Sequence, residues 1–229
     1  MILGVMQPYL FPYLGYFQLV KYCDEFVFYD DVQFIKGGYI NRNNILANGQ
    51  KQLFTIPIVK ASSNRKINEH HFSDNRGKFF KSIEQNYRKA PQFEAVMPIL
   101  DKVLNTNETQ VAVLCKDSIL SVFDYLSIGI NYRFSSELDY NKRASASEKL
   151  FEICQLINTN RYCNMKSGKS LYSKKEFAER GIELSFLEMA ALSYPQNKSE
   201  YVSHLSIIDV LMWNDKSAVK ALLQKYIIS

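Results

Sequence analysis

Three pieces of the opening sequence decide the fold: Ile2-Leu3-Gly4-Val5-Met6, Pro12-Tyr13-Leu14-Gly15-Tyr16-Phe17-Gln18-Leu19-Val20, and Phe26-Val27-Phe28-Tyr29. The first is a short apolar run closed by Gln7-Pro8, the pattern of a strand buried on both faces. In the second, apolar residues at 14, 17, 19 and 20 fall on one helical face, and Pro12 suits a first helical turn. The third is again continuously apolar and ends in Asp30-Asp31. Strand, helix, strand predicts the first unit of a parallel sheet joined by a right-handed crossover.

Further along, Asn48-Gly49 signals a hairpin between strands at 40–42 and 53–57, with Pro57 confining the second to an edge or an end. Residues 60–76 read as a mobile loop that carries His70-His71. Helices are expected near 77–90, 91–105 and 108–127, and a strand at 131–134. The alternation then returns with a helix at 146–158, a strand at 161–164 and a loop at Lys166-Ser167-Gly168-Lys169. A helix at 174–180, closed by Gly181, precedes a last strand at 182–187 and a helix at 205–214. This order predicts an α/β fold: a mostly parallel, doubly wound (Rossmann-like) sheet with an added helical segment. The expected organisation is one α/β domain over 1–229 with a largely helical insertion around 77–127.

The 229 residues are 47% hydrophobic, enough for a substantial core, and 22% charged, too ordinary a balance for wholesale disorder. The net charge of +5 comes from scattered Lys and Arg rather than a clustered basic block. That argues against nucleic acid as a partner and suits a small anionic ligand. Cys23, Cys115, Cys154 and Cys163 form no CxxC pair and have no His at ligand spacing, so reduced thiols and no metal site are expected. No apolar run is long enough to span a bilayer, and the N-terminus lacks the basic and apolar regions of a signal peptide. A cytoplasmic location without a membrane span follows as the expectation.

In doubly wound sheets ligands sit beyond the carboxyl ends of the strands. Those ends carry Gln7 and Tyr9, Asp30 and Asp31, Ser135, and Asn164 with Gly168. Asp30 and Asp31 are the candidate catalytic carboxylates, as general base or as ligands of a nucleotide-bound Mg²⁺. Successive strand residues point to opposite faces, so the two share a pocket only across a bend. His71, in a polar loop, is the candidate to deprotonate an amine. Lys36, Asn41, Arg42 and Asn43 offer donors for phosphate or carboxylate. Gly168 lies in a strand-to-helix loop whose backbone N–H groups can face an anion. Tyr13 and Tyr16 flank Gly15 where adenylyl-transferring α/β enzymes place two histidines, but tyrosine lacks their cationic stabilisation. Asp209, in an apolar helix, needs a buried partner, and His204 reads as structural.

Several long motifs point together in one direction. They are Met6-Gln7-Pro8-Tyr9-Leu10-Phe11-Pro12-Tyr13-Leu14-Gly15-Tyr16-Phe17, Tyr29-Asp30-Asp31-Val32-Gln33-Phe34, Asn41-Arg42-Asn43, Ser135-Ser136-Glu137-Leu138 and Leu205-Ser206-Ile207-Ile208-Asp209. In these the chain resembles the WbqC-like family. The resemblance implies a role in bacterial surface-polysaccharide (O-antigen) biosynthesis. It implies in particular an acyl- or glycyl-type transfer to the amino group of a nucleotide-linked amino sugar. The partners would then be that sugar and an acyl or aminoacyl donor, with ATP or a coenzyme A thioester as the cofactors still open. A homodimer is also left open. The alternatives are a non-catalytic nucleotide-sugar-binding or scaffold protein, and an ATP-dependent amide-forming ligase.

Overall fold

A computed structural model describes residues 1–197 and 200–229. The opening unit is as the sequence dictates: β1 (Leu3–Met6), α1 (Leu14–Tyr22) and β2 (Glu25–Phe28), with β1 and β2 parallel and Leu3 level with Glu25. Between β2 and β5 (Tyr132–Phe134) the chain makes a long excursion. It forms an antiparallel hairpin, β3 (Arg42–Ala47) and β4 (Gln50–Thr55), and then three helices, α2 (Gly77–Tyr87), α3 (Phe93–Leu104) and α4 (Val111–Tyr125). The hairpin turns at Asn48-Gly49, both with positive φ, as a tight two-residue turn requires. Its strands lie closer to the turn than the 40–42 and 53–57 expected, sharing only Arg42 with the first and residues 53–55 with the second; β4 is exposed at every position but Phe54 and so shows little apolar signal.

α5 (Ala146–Leu156), β6 (Arg161–Met165), α6 (Lys174–Glu179) and β7 (Glu183–Met189) complete the parallel sheet. α7 (Ile207–Trp213), α8 (Lys216–Leu222) and β8 (Tyr226–Ile228) follow. The strand order is β5-β2-β1-β6-β7-β8, and only β8 runs antiparallel to its neighbour. β7 is therefore not the last strand. The three-residue β8 is too short for period-2 alternation to reveal it.

Alternate strand residues divide between two cores. Leu3, Val5, Val27, Tyr162, Leu184 and Phe186 pack with α5 and α6 on one face. Phe26, Phe28, Cys163, Met165 and Leu187 join α1, α4 and α7 on the other. The sheet is thus covered on both sides, which explains its continuous apolar strands. From β1 the chain runs through α1 to β2 and on to β5 on one side, then returns through α5 to β6 on the other side of β1 and continues outwards to β7, placing the topological switch between β1 and β6.

Residues 60–76 are tied down rather than loose. Phe34 N–H donates to the Arg65 carbonyl, Ile67 N–H to Val32 and Asn68 N–H to Asp30, while Val111 N–H donates to His70. No helix among the described residues is long and apolar enough to cross a membrane.

Candidate functional site

A cleft of about 660 Å³ opens beyond the carboxyl ends of β6 and β7, beside the switch point. Lys166, Ser167 and Glu188 line it, with Ala190, Ala191 and Leu192 beyond β7. A smaller lobe of about 250 Å³ is built from Tyr9, Pro12 and Tyr39 with the hairpin residues Asn43, Asn44 and Lys51. Tyr13 and His204 border both lobes and join them. Their rings meet edge-on with centroids 6.3 Å apart.

The sequence holds this junction rigidly. Phe11, fully buried, has φ +43°, a strained conformation for a bulky residue. Its N–H donates to Ser118 Oγ at 3.0 Å, and its carbonyl accepts from Asn43 Nδ2 at 3.0 Å and Ser206 Oγ at 2.7 Å. Leu10 N–H donates to Ile40, Ile207 N–H to Pro12 and Ser206 N–H to Asn44. The turn after β1 is therefore gripped by β3, α4 and the start of α7 together. Gly15 completes it: a Cβ there would lie 2.5 Å from a Tyr13 ring carbon, so glycine lets that ring fold over α1 and face the cleft. Burial pushes the Tyr13 hydroxyl up to about 12, which keeps it a neutral donor. His204 also has positive φ, +56°, a region that His and Asn tolerate better than most residues.

The cleft carries cations and aromatic rings. Lys51 is exposed, and Lys166 pairs with Glu188 at 2.6 Å across neighbouring strands. Tyr9, Tyr13, Tyr39 and Tyr201 supply ring faces. The Asn44 side chain makes no hydrogen bond among the described residues and borders the small lobe.

Of the residues expected from sequence, Tyr9 and Asn43 line the cleft. Gln7 lies just behind it: its carbonyl accepts from Tyr16 Oη at 2.9 Å, and its side chain is 3.5 Å from Tyr9 Oη. Asn164 and Gly168 flank Lys166 and Ser167, the Asn164 Nδ2 donating to Tyr162 Oη at 3.1 Å. Asn41 Nδ2 donates to the Ile56 carbonyl, and the Arg42 guanidinium is folded onto the Gly37 and Gly38 carbonyls. Lys36 is exposed.

Asp30, Asp31 and Ser135 come together in a separate, closed network at the β2–β5 rim. Asp30 accepts from Ser136 N, Ser136 Oγ and Asn68 Nδ2 at 2.7–3.0 Å, and its N–H donates to Ser135 Oγ, whose one hydroxyl hydrogen lies between the two carboxylates and nearer Asp31. Asp31 accepts from Ser135 Oγ and Tyr140 Oη and pairs with Lys142 at 2.7 Å. Burial pushes the Asp31 carboxyl up, but Lys142, Ser135 and Tyr140 outweigh it and hold it below the usual range. With an ammonium on Asp31 and donors filling Asp30, the pair does not fit a Mg²⁺ cage.

His71 is exposed and its Nδ1 lies 3.0 Å from Thr109 Oγ1. His70 is buried: its Nδ1 faces the Lys66 carbonyl at 2.7 Å and its Nε2 accepts from Ser62 N–H, a pattern that places the proton on Nδ1. Tyr16 is fully buried, so its hydroxyl faces Gln7 rather than a ligand. Asp209 has its buried partners in Tyr87, Tyr194 and Gln196.

Lys166 lies in the strand-to-helix loop marked as an anion candidate, whereas His204, Lys51, Tyr39 and Glu188 have no sequence signal of their own for this cleft. They converge only because the hairpin and the segment after β7 fold back to one rim.

The fold and this cleft define a doubly wound α/β protein with its ligand-sized opening at the topological switch point. Residues 7–221 match the profile of the WbqC-like protein family, and the chain belongs to that family. It is similar to an uncharacterized protein of Mycobacterium tuberculosis, 28% identical over 213 residues that cover 91% of each chain. No solved structure matches at a significant level.

Proposed function

We propose that the protein binds a nucleotide-linked amino sugar in the Tyr13–His204 cleft and transfers an acyl or glycyl group to its amino nitrogen, within bacterial surface-polysaccharide assembly. The observation that carries this reading is the two-lobed cleft at the switch point, with ring faces for base and sugar and with Lys51 and Lys166 for phosphate. The larger lobe takes the nucleotide sugar and the smaller takes the acyl donor.

When the amine attacks the thioester carbonyl, the C–N bond forms, the C–S bond breaks, and the proton given up by the nitrogen ends on the departing thiolate, so that amide and free thiol leave. His204 stands where the lobes meet, and an imidazole can take that proton at neutral pH. In this reading Tyr9 contacts the substrate, while Asn43, its amide engaged by Phe11 and Asn44, shapes the wall of the small lobe rather than donating to a ligand. Asp30 and Asp31, with their oxygens already engaged, set the shape of the neighbouring rim in this reading, and His71 has no part in proton transfer. A thioester donor is favoured over ATP activation, because Tyr16 is turned away from any phosphate at the start of α1.

The test is a thermal-shift and turnover series with uridine- and thymidine-diphosphate amino sugars, ATP and acetyl-coenzyme A. The nucleotide sugars stabilise the wild type. Gly15→Ala displaces the Tyr13 ring and weakens that binding roughly tenfold. His204→Asn suits the same backbone, retains binding, and loses turnover by about 100-fold. No stabilisation by any nucleotide sugar, or unchanged binding by Gly15→Ala, would sink the proposal.

A further inference from the structure

From Val32 to Asn68 the chain contains no Asp or Glu, while it carries Lys36, Arg42, Lys51, Lys60, Arg65 and Lys66. This segment has a formal charge of +6 against +5 for the whole chain, so everything outside it is at −1. The chain has 28 Lys and Arg in all, but outside this segment they are offset by Asp and Glu, so the net positive charge is confined to the hairpin and the loops on either side of it. None of the six makes an ion pair with a carboxylate among the described residues, and Lys36, Lys51, Lys60 and Lys66 are exposed.

Large apolar side chains stand among these cations. Ile35 and Tyr39 are each 52% exposed, Val59 48% and Leu53 47%. Backbone hydrogen bonds bring the parts together. Gly38 N–H donates to Ile35, closing the turn between Ile35 and Tyr39, and Phe34 N–H donates to Arg65. The Arg42 guanidinium ties the first residue of β3 to the same turn. Lys51 and Leu53 are two apart on β4 and so share one face of the hairpin. Exposed Ile, Leu, Val and Tyr tips interleaved with unpaired lysines are the composition of a surface that enters the headgroup layer of an anionic bilayer. Nucleic acid would share the charge but gives Ile, Leu and Val little to do.

We propose that this hairpin face docks the protein peripherally on an anionic phospholipid membrane. The inference stands apart from the proposed chemistry, although Tyr39 and Lys51 border the small lobe and would bring the cleft mouth close to the bilayer.

The test is co-sedimentation of the full chain with vesicles of phosphatidylcholine alone or mixed with phosphatidylglycerol, at several salt concentrations. Binding is expected on the mixed vesicles only and weakens as salt rises. Lys60→Gln with Lys66→Gln lowers the partition roughly tenfold or more. Ile35→Ser with Leu53→Ser, both at exposed positions, lowers it at least about fivefold, while circular dichroism and Tm report an intact fold. Absence of binding to the mixed vesicles at low salt overturns the proposal. Binding that ignores the lysine pair also overturns it. So does binding that ignores the apolar pair and is matched by a single-stranded oligonucleotide, since the face would then be a general polyanion site.

Discussion

Replacing Tyr194 with Phe probes how the segment after β7 is held over the cleft. Asp209 is fully buried and accepts from Tyr87 Oη at 2.8 Å, Tyr194 Oη at 2.8 Å and Gln196 Nε2 at 2.9 Å. Burial pushes its carboxyl above the usual range even though the three donors pull it down. Tyr194→Phe keeps the ring, which packs edge-on against Tyr201, and removes one charge-assisted hydrogen bond. Such a bond contributes about 1.5–3 kcal/mol. For a chain of this size each kcal/mol moves Tm by about 2–4 °C, so calorimetry at neutral pH should show a fall of about 3–12 °C. A carboxyl with a raised folded-state pKa stabilises the fold below its unfolded value and loses that contribution as pH rises through the folded value. Loss of a donor raises the folded value further. The penalty is therefore greatest where Asp209 is charged, and shrinks towards about 1 kcal/mol, the worth of a neutral hydrogen bond, on acidification. A Tm within about 1 °C of wild type at neutral pH would refute the reasoning, as would a penalty that grows as pH falls.

Two further outcomes follow from the same contacts. Asn43→Ala removes the donor to the Phe11 carbonyl and the acceptor for Asn44 N–H, under a backbone already strained at Phe11. Urea unfolding should show a loss of about 2 kcal/mol. Lys142→Met removes the ammonium from Asp31, whose carboxyl now lies below the usual range. A depressed carboxyl stabilises above its unfolded value of about 3.9 and loses that contribution as pH falls through the folded value. The variant should be destabilised at neutral pH, and its stability should change less than that of wild type when the solution is acidified below about pH 4. Circular dichroism across an acid titration checks this.

Most of the sheet was legible because its strands are covered on both faces and read as apolar runs, and because α1 and α5 show a clear helical period. β8 was not, since three residues at an edge carry no period. The site was only half legible. The rule that ligands gather at strand ends selected Tyr9, which borders the cleft, but also Asp30, Asp31 and Ser135, which do not; Asn43, which borders the small lobe, was selected as a polar donor of the hairpin. The rule cannot tell a polar side chain that faces solvent from one whose partners lie a hundred residues away, as Ser135 and Tyr140 do for Asp31. His204 is followed in sequence by the apolar Leu205, Ile207 and Ile208, so nothing around it marks a cleft residue. Its place in the cleft depends on a left-handed backbone turn that has no compositional mark.

Hydrogen exchange of the protein with and without a nucleotide-diphosphate amino sugar tests the location of the site most directly. Bound ligand should protect amides in residues 9–15, 165–168, 187–192 and 201–205, and leave 30–33 and 135–140 unchanged. Protection confined to the Asp30–Asp31 rim, with none around Tyr13 and His204, would contradict the assignment.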